Sequence, residues 1–251
     1  TGGEPLLYPD LVPLVVGITD SGIQNIGLTT NALTLQKFAK PLREAGLRSL
    51  NVSLDSLAPE NFRKLGRVGR VAQVLKGIDA ALDAGLRIKL NMVVMRGQND
   101  HEVVDLLDYG LAHGIEVRYL ELMRMGPLYQ SNEFPLFTMQ EILDKIGERY
   151  SYTPAEAEAD STSQRFSVPG GFFGIIPNES APFCSTCSRL RLTSNGKLVG
   201  CLSNPTEISI RDLLDHSNPG TELQNRVATS VTYKQPTAFT GSDLGMSRIG
   251  G

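Results

Sequence analysis

The stretch from Arg48 to Val94, RSLNVSLDSLAPENFRKLGRVGRVAQVLKGIDAALDAGLRIKLNMVV, decides the fold. Its two ends, RSLNVSLD (48–55) and RIKLNMVV (87–94), alternate in polarity with β-branched residues, as strands do. Between them VAQVLKGIDAALDA (71–84) repeats apolar residues at helical spacing. It stops at Gly85, the position after a helix where glycine enters the left-handed conformation cheaply. The same unit recurs outward. NIGLTT (25–30) and IEVRYLELM (115–123) read as strands, and QKFAKPLREA (36–45) and HEVVDLLDYGLAH (101–113) as helices ending at Gly46 and Gly114. Pro41 is expected to kink or split the first of these helices. Strands alternating with helices imply a parallel sheet with helical crossovers. Neither G-x-G-x-x-G nor G-x4-G-K-[ST] follows a strand, so dinucleotide and P-loop sites are unsupported.

The polar residues inside these strands are unusual. Asn51, Ser53 and Asp55 share one face of the second strand, Lys89 and Asn91 one face of the third, and Glu121 and Met123 one face of the fourth. A parallel sheet covered on both sides reads as a continuous apolar run. Recurring polar groups on one face need partners, and a lumen filled by a polar ligand supplies them. Thr29 and Asp55 are equally well explained as strand ends or caps, whereas a lysine in mid-strand is harder to explain that way.

After Met123 the repeat breaks. MRMGPLYQSNEFPLF (123–137) is a connection, TMQEILDKIGERY (138–150) a helix capped by Thr138, and TPAEAEADSTSQ (153–164) a loop. RFSVPGGFFGIIP (165–177) reads as two short strands leading to the only cysteines of the chain, Cys184, Cys187 and Cys201. RLRLTSNGKLVGC folds as a hairpin. With Asn195-Gly196 as a two-residue turn, Thr193 faces Leu198 and Leu190 faces Cys201, so the third cysteine returns beside the C-x2-C pair. Arg189 and Arg191 then share the other face, where guanidinium forks suit an anion. Two readings of the trio stay open: a zinc knuckle with a fourth ligand from elsewhere, or an iron–sulfur cluster with one iron left open. The final QPTAFTGSDLGMSRIGG (235–251) has no period, but its two terminal glycines can run close to a ligand.

A net charge of −3 argues against a general nucleic-acid binder, and no apolar run reaches the length of a membrane span. Three cysteines within eighteen residues do not make a secreted disulfide framework, so a reducing cytoplasm is expected.

TGGEPLL, LTTNA, LNVSLDSL, KLNMVVMRGQND and RYLELMRMG resemble a radical S-adenosylmethionine enzyme. FCSTCSRLRLTSNGKLVGCL and the closing MSRIGG narrow the resemblance to the molybdenum-cofactor biosynthesis protein A family, the GTP 3′,8-cyclases, along the whole chain. That family implies an α/β fold: a partial TIM-type (β/α)6 barrel, here without its first strands, plus a small C-terminal α+β domain carrying an Fe–S site. The boundaries expected are 1–125 for the barrel, 126–240 for the Fe–S and GTP-binding domain, and 241–251 for a tail reaching the active site. It implies a 4Fe–4S cluster on Cys184, Cys187 and Cys201, whose open iron takes the guanine. It implies S-adenosylmethionine contacts at Gly3, Glu4, Ser53 and Met123, and GTP contacts at Thr30, Lys89, Arg189, Leu190 and Arg191. Arg189, Arg191, Gly250 and Gly251 are the residues expected to serve catalysis. An electron donor, a downstream cyclic pyranopterin synthase and a homodimer are compatible partners.

The resemblance has departures. The C-x3-C-x2-C motif of the S-adenosylmethionine-cleaving cluster is not in this sequence, nor is the arginine expected before TGGEP. The sequence is therefore read as an N-terminally truncated, inactive piece of an active enzyme, with that second cluster expected only in the full-length protein. TTNA stands where the family has T-T-N-G. Two competing readings are a non-catalytic GTP-binding Fe–S protein and a radical enzyme with an auxiliary cluster acting on a peptide.

Overall fold

The computed structural model describes residues 1–66, 69–157 and 161–245. A seven-stranded sheet organises most of them. Its strands are β1 (Gly27–Thr30), β2 (Ser49–Ser53), β3 (Arg87–Val94), β4 (Glu116–Glu121), β5 (Thr153–Ala155), β6 (Gln164–Val168) and β7 (Gly171–Ile176). The order is β1-β2-β3-β4-β7-β6-β5. Strands β1 to β4 and β7 run parallel, and at the far edge β6 pairs antiparallel with β7 and β5 antiparallel with β6. The strands over 153–176, which the sequence places with the second domain, thus continue the first sheet through the β4–β7 pairing.

The helices are α1 (Leu11–Asp20), α2 (Leu35–Glu44), α3 (Pro59–Lys64), α4 (Val71–Asp83), α5 (Val103–Ala112), α6 (Met139–Gly147) and α7 (Pro219–Thr232). Gly46, Gly85 and Gly114 hold φ of 111°, 74° and 66°, as the helix-ending reading requires. α2 runs through Pro41 without interruption, so the expected split does not occur. β5 forms within the stretch read as a loop.

Burial alternates along β2, β3 and β4. Leu50 and Val52, Leu90, Met92 and Val94, and Val117 and Tyr119 are buried on one face. Asn51, Ser53, Lys89, Asn91, Glu116 and Arg118, on the other, are only half-buried. The main core joins the first face to Leu35, Leu42, Val74, Ile78, Leu106 and Ile142 on the helices. At about 0.8 kcal/mol per buried CH2, this side stabilises the sheet. The opposite face stays polar.

A second unit hangs from the end of β7. It is a three-stranded antiparallel sheet, β10-β9-β8, of β8 (Arg191–Leu192), β9 (Lys197–Cys201) and β10 (Asn204–Ser209), with α7 against β9. Its apolar cluster is small: Met125 and Val199 are buried, with Met123, Leu202, Phe239 and Leu244 packed around them. The hairpin register differs from the expectation by one residue. Arg191 pairs with Val199 and Leu192 with Leu198. The loop has three residues, because Gly196 N–H donates to Thr193 O (2.9 Å) and Gly196 adopts φ 79°, the one-residue bulge that a type I turn needs to rejoin the strands. Leu190 lies outside β8, and the expected Leu190–Cys201 pairing does not form.

Candidate functional site

The parallel strands end along one rim, and the sequence-derived site residues distribute along it. At the β1 end, Gly2 and Gly3 take φ of 94° and 74°, which bends TGGEP back over the sheet. Glu4 then accepts hydrogen bonds from Leu6 N–H (3.1 Å), the Thr30 hydroxyl (2.5 Å) and Asn31 N–H (2.8 Å). Thr30 is buried, its Oγ1 also accepts from Ala32 N–H (3.0 Å), and its hydroxyl is thereby committed to the scaffold. Ala32 itself sits at φ 59°. The alanine that replaces the expected glycine is held left-handed, a strain of roughly 1–2 kcal/mol. Ser53 is half-buried at the end of β2.

The polar face of the sheet carries a charge cluster. Glu116 faces Arg165 Nε at 2.9 Å, Arg118 Nε at 3.7 Å and Lys89 Nζ at 4.0 Å. Arg118 Nε and Asn91 Oδ1 are buried without a hydrogen-bond partner, so this face holds polar capacity that the protein does not use itself.

Across the rim from Glu4, a cavity of about 180 Å³ gathers Cys184, Cys187 and Cys201 with Met123, Arg189 and Arg191. All three thiols are free and half-buried. Burial, then the neighbouring Cys201 and Cys187, push the Cys184 thiol up, against a downward pull from Lys234. Burial also lowers the guanidinium pKa of Arg189 and Arg191, and each has a like-charged neighbour that adds to the effect: Arg118 for Arg189, and Arg189 for Arg191. Arg189 donates to the Thr162 hydroxyl (2.6 Å). The Arg191 guanidinium makes no hydrogen bond or ion pair to a described residue. A partly desolvated guanidinium with no hydrogen-bond partner among the described residues suits an anionic ligand. Leu190 does not line the cavity. Among the described residues no three His, Cys, Asp or Glu groups gather closely enough to grip a single metal ion. Gly250 and Gly251 lie outside the described residues.

Three features were missed by the sequence reading. Glu121, singled out only as a face partner of Met123, is a buried clasp. Its carboxylate accepts from Met139 N–H (2.6 Å), Glu179 N–H and Ser180 N–H (both 2.8 Å) and the Ser180 hydroxyl, and its carbonyl accepts from Asn178 Nδ2 (3.0 Å). It fixes the segment that leads to Cys184 against the end of β4. Lys234 enters the cavity from the end of α7, a helix the sequence reading did not find. Phe239 and Gln235 complete the wall.

Comparison with known proteins follows this geometry. Residues 1–110 match the Radical SAM superfamily model and residues 115–240 the Molybdenum Cofactor Synthesis C model. The GTP 3′,8-cyclase of Marinobacter nauticus is 37% identical over 93% of this chain and 72% of its own length. That of Alkaliphilus oremlandii is 36% identical over 100% and 80%, and that of Synechocystis 40% over 84% and 65%. Among solved structures, Streptococcus suis SuiB bound to S-adenosylmethionine shares the fold with a TM-score of 0.53 at 19% identity, over 85% of this chain and 52% of SuiB. SuiB bound to its precursor peptide SuiA gives 0.56 at the same identity and coverage. The chain belongs to the GTP 3′,8-cyclase family of radical S-adenosylmethionine enzymes.

Proposed function

We propose that the cysteine-lined cavity is where this enzyme of molybdenum cofactor biosynthesis receives the purine of GTP, with Cys184, Cys187 and Cys201 holding a 4Fe–4S cluster. The single observation that carries the reading is the pairing of three free thiols in one cavity with Arg191, whose guanidinium has no hydrogen-bond partner among the described residues. The donor set fits a cluster better than zinc. A structural zinc takes four protein ligands, whereas the described cavity wall brings three thiols together and no histidine, aspartate or glutamate. When bound, this cluster would offer its open iron to the purine, and radical formation from S-adenosylmethionine would belong to the separate C-x3-C-x2-C cluster, whose motif is not in this sequence.

This chain's own residues then bind and orient. Arg189 and Arg191 would take the phosphates or the purine carbonyl as bidentate donors. Lys89 and Arg118 would extend that positive lining along the polar face. Gly3, Glu4, Ser53 and Met123 would shape the S-adenosylmethionine end of the rim, Gly3 by close backbone approach. Thr30 would act there through Glu4, since its hydroxyl is already engaged. Leu190 could contribute its backbone only, and Gly250 and Gly251 would close the site from the tail. The electron donor, the downstream pyranopterin synthase, the homodimer and the cytoplasmic setting belong to the same proposal. No described helix is long and apolar enough to cross a membrane.

The test is spectroscopic. Anaerobically reconstituted protein is expected to hold iron and sulfide at the trio, and GTP to change the paramagnetic-resonance or Mössbauer spectrum of that cluster. Arg191→Ala should weaken GTP binding by roughly 10- to 100-fold, the size of a lost charged hydrogen bond, with iron content unchanged. Stoichiometric zinc in the wild-type protein, or a spectrum indifferent to GTP, would overturn the reading.

A further inference from the structure

The approach of α7 to β9 brings Lys234 into this cavity. A Cβ on Gly200 would lie 1.9 Å from Ser230 O, so the last turns of α7 rest directly on the β9 backbone, one residue before Cys201. No other residue permits that approach without moving the helix. Ser230 is buried there, and its hydroxyl has no partner. The backbone contact sets where α7 ends, and the chain beyond it delivers Lys234. The ammonium donates to Arg189 O and lies 3.6 Å from Cys187 Sγ. No carboxylate is paired with it among the described residues.

We infer that Lys234 is a positioning residue that tunes the cluster held by Cys184, Cys187 and Cys201, through an N–H···S hydrogen bond to Cys187; this rests on the reading above. A cation donating to a ligand sulfur stabilises the more negative, reduced form of a cluster and raises its reduction potential. Hydrogen bonds to sulfur and net charge are the protein's two levers on that potential, and Lys234 supplies both. Arg189 and Arg191 add charge, but neither has a recorded hydrogen bond to a thiol. The same ammonium ties the cysteine loop to α7 through Arg189 O, so ordering of the helix and tuning of the sulfur are one event.

The experiment is a redox titration of the reconstituted protein, with dithionite as reductant, followed by paramagnetic resonance of the cluster on the trio. Lys234→Met should make that cluster harder to reduce, lowering the reduced-to-oxidised ratio at fixed potential about tenfold, which is about 59 mV for one electron. Lys234→Gln, which keeps an N–H donor and drops the charge, should fall between, and Lys234→Arg should restore most of the wild-type value. Unchanged potential in an iron-replete Lys234→Met or Lys234→Gln protein overturns the inference. So does loss of iron from both of these with iron retained in Lys234→Arg, which would make the lysine a holder of the loop. Absence of a cluster from the wild-type trio instead defeats the underlying reading, and the two failures are therefore distinguishable by iron content.

Discussion

The two regions of this molecule are stabilised by different means. The large sheet buries a continuous apolar face beneath six helices, with Leu50, Val52, Leu90, Met92 and Val117 at or near zero exposure. The cysteine unit has two buried residues in its apolar cluster and leaves Leu190, Leu192, Leu214 and Val231 exposed. What fixes it instead is polar or steric: the Glu121 clasp, the Gly200–Ser230 contact and the Lys234 bridge. A small unit without a sufficient core needs a staple, and in such units bound metal contributes directly to folding. The sheet thus has a core of its own, whereas the cysteine unit, on the reading proposed above, is expected to depend on the cluster it would hold.

Cys201→Ser should break this contrast most visibly. It is expected to abolish iron retention at the trio and to erase hydrogen-exchange protection in β8 to β10 and α7, while β1 to β4 keep theirs. Loss of protection in both regions would mean that they fold as one unit. Leu90→Ala tests the other side. It should cost about 2–5 kcal/mol in a denaturant titration, with the iron content of the folded fraction unchanged. The smallest effect sharpens the role of polar clasps within the scaffold. Burial opposes ionisation of Glu102, but hydrogen bonds from Asn61 Nδ2 (2.6 Å), the Ser56 hydroxyl (2.7 Å) and the Leu57 and Ala58 N–H groups outweigh it and hold its carboxyl below the usual range. A depressed carboxylate adds stability that is present above its unfolded pKa and is lost as pH falls through the folded one. Glu102→Gln should therefore flatten the acid limb of the stability profile below about pH 4.5, measured as urea midpoints at neutral and acid pH. An unchanged acid limb would remove Glu102 from that role.

The same division governs what the sequence discloses. Strands β1 to β4 and helices α2, α4 and α5 are legible because periodicity, β-branching and helix-ending glycines agree along this repeat, and α6 is legible from its Thr138 cap. α1 is not, since Pro13, Val15, Val16 and Gly17 weaken its helical signal and only Leu11 and Val15 are buried along it. α7 is hidden by Gly220, Asn225, Thr229 and Ser230, poor helix formers whose placement is decided by packing on β9. The hairpin register failed on a local choice, a two- or three-residue loop, that Ser194-Asn195-Gly196 allows equally. In the site, residue types that advertise themselves, the cysteines and the R-x-R, were found. Lys234 was not, because only the path of α7 brings it within reach of Cys187, thirty-three residues after the last cysteine.

The order of the strands also imposes a gauge. Thr30, Ser53, Val94, Glu121 and Ile176 finish five successive parallel strands, so the Glu4 corner and the start of the cysteine loop are four strand widths apart. At roughly 4.8 Å each, that is about 19 Å measured along the sheet, set by backbone hydrogen bonds that no side-chain substitution can stretch. Substitutions can alter how tightly each end grips, but the interval a molecule must bridge changes only if a strand is added or lost. Two molecules seated at the two ends would therefore be spaced by the backbone, before any side chain tests their chemistry.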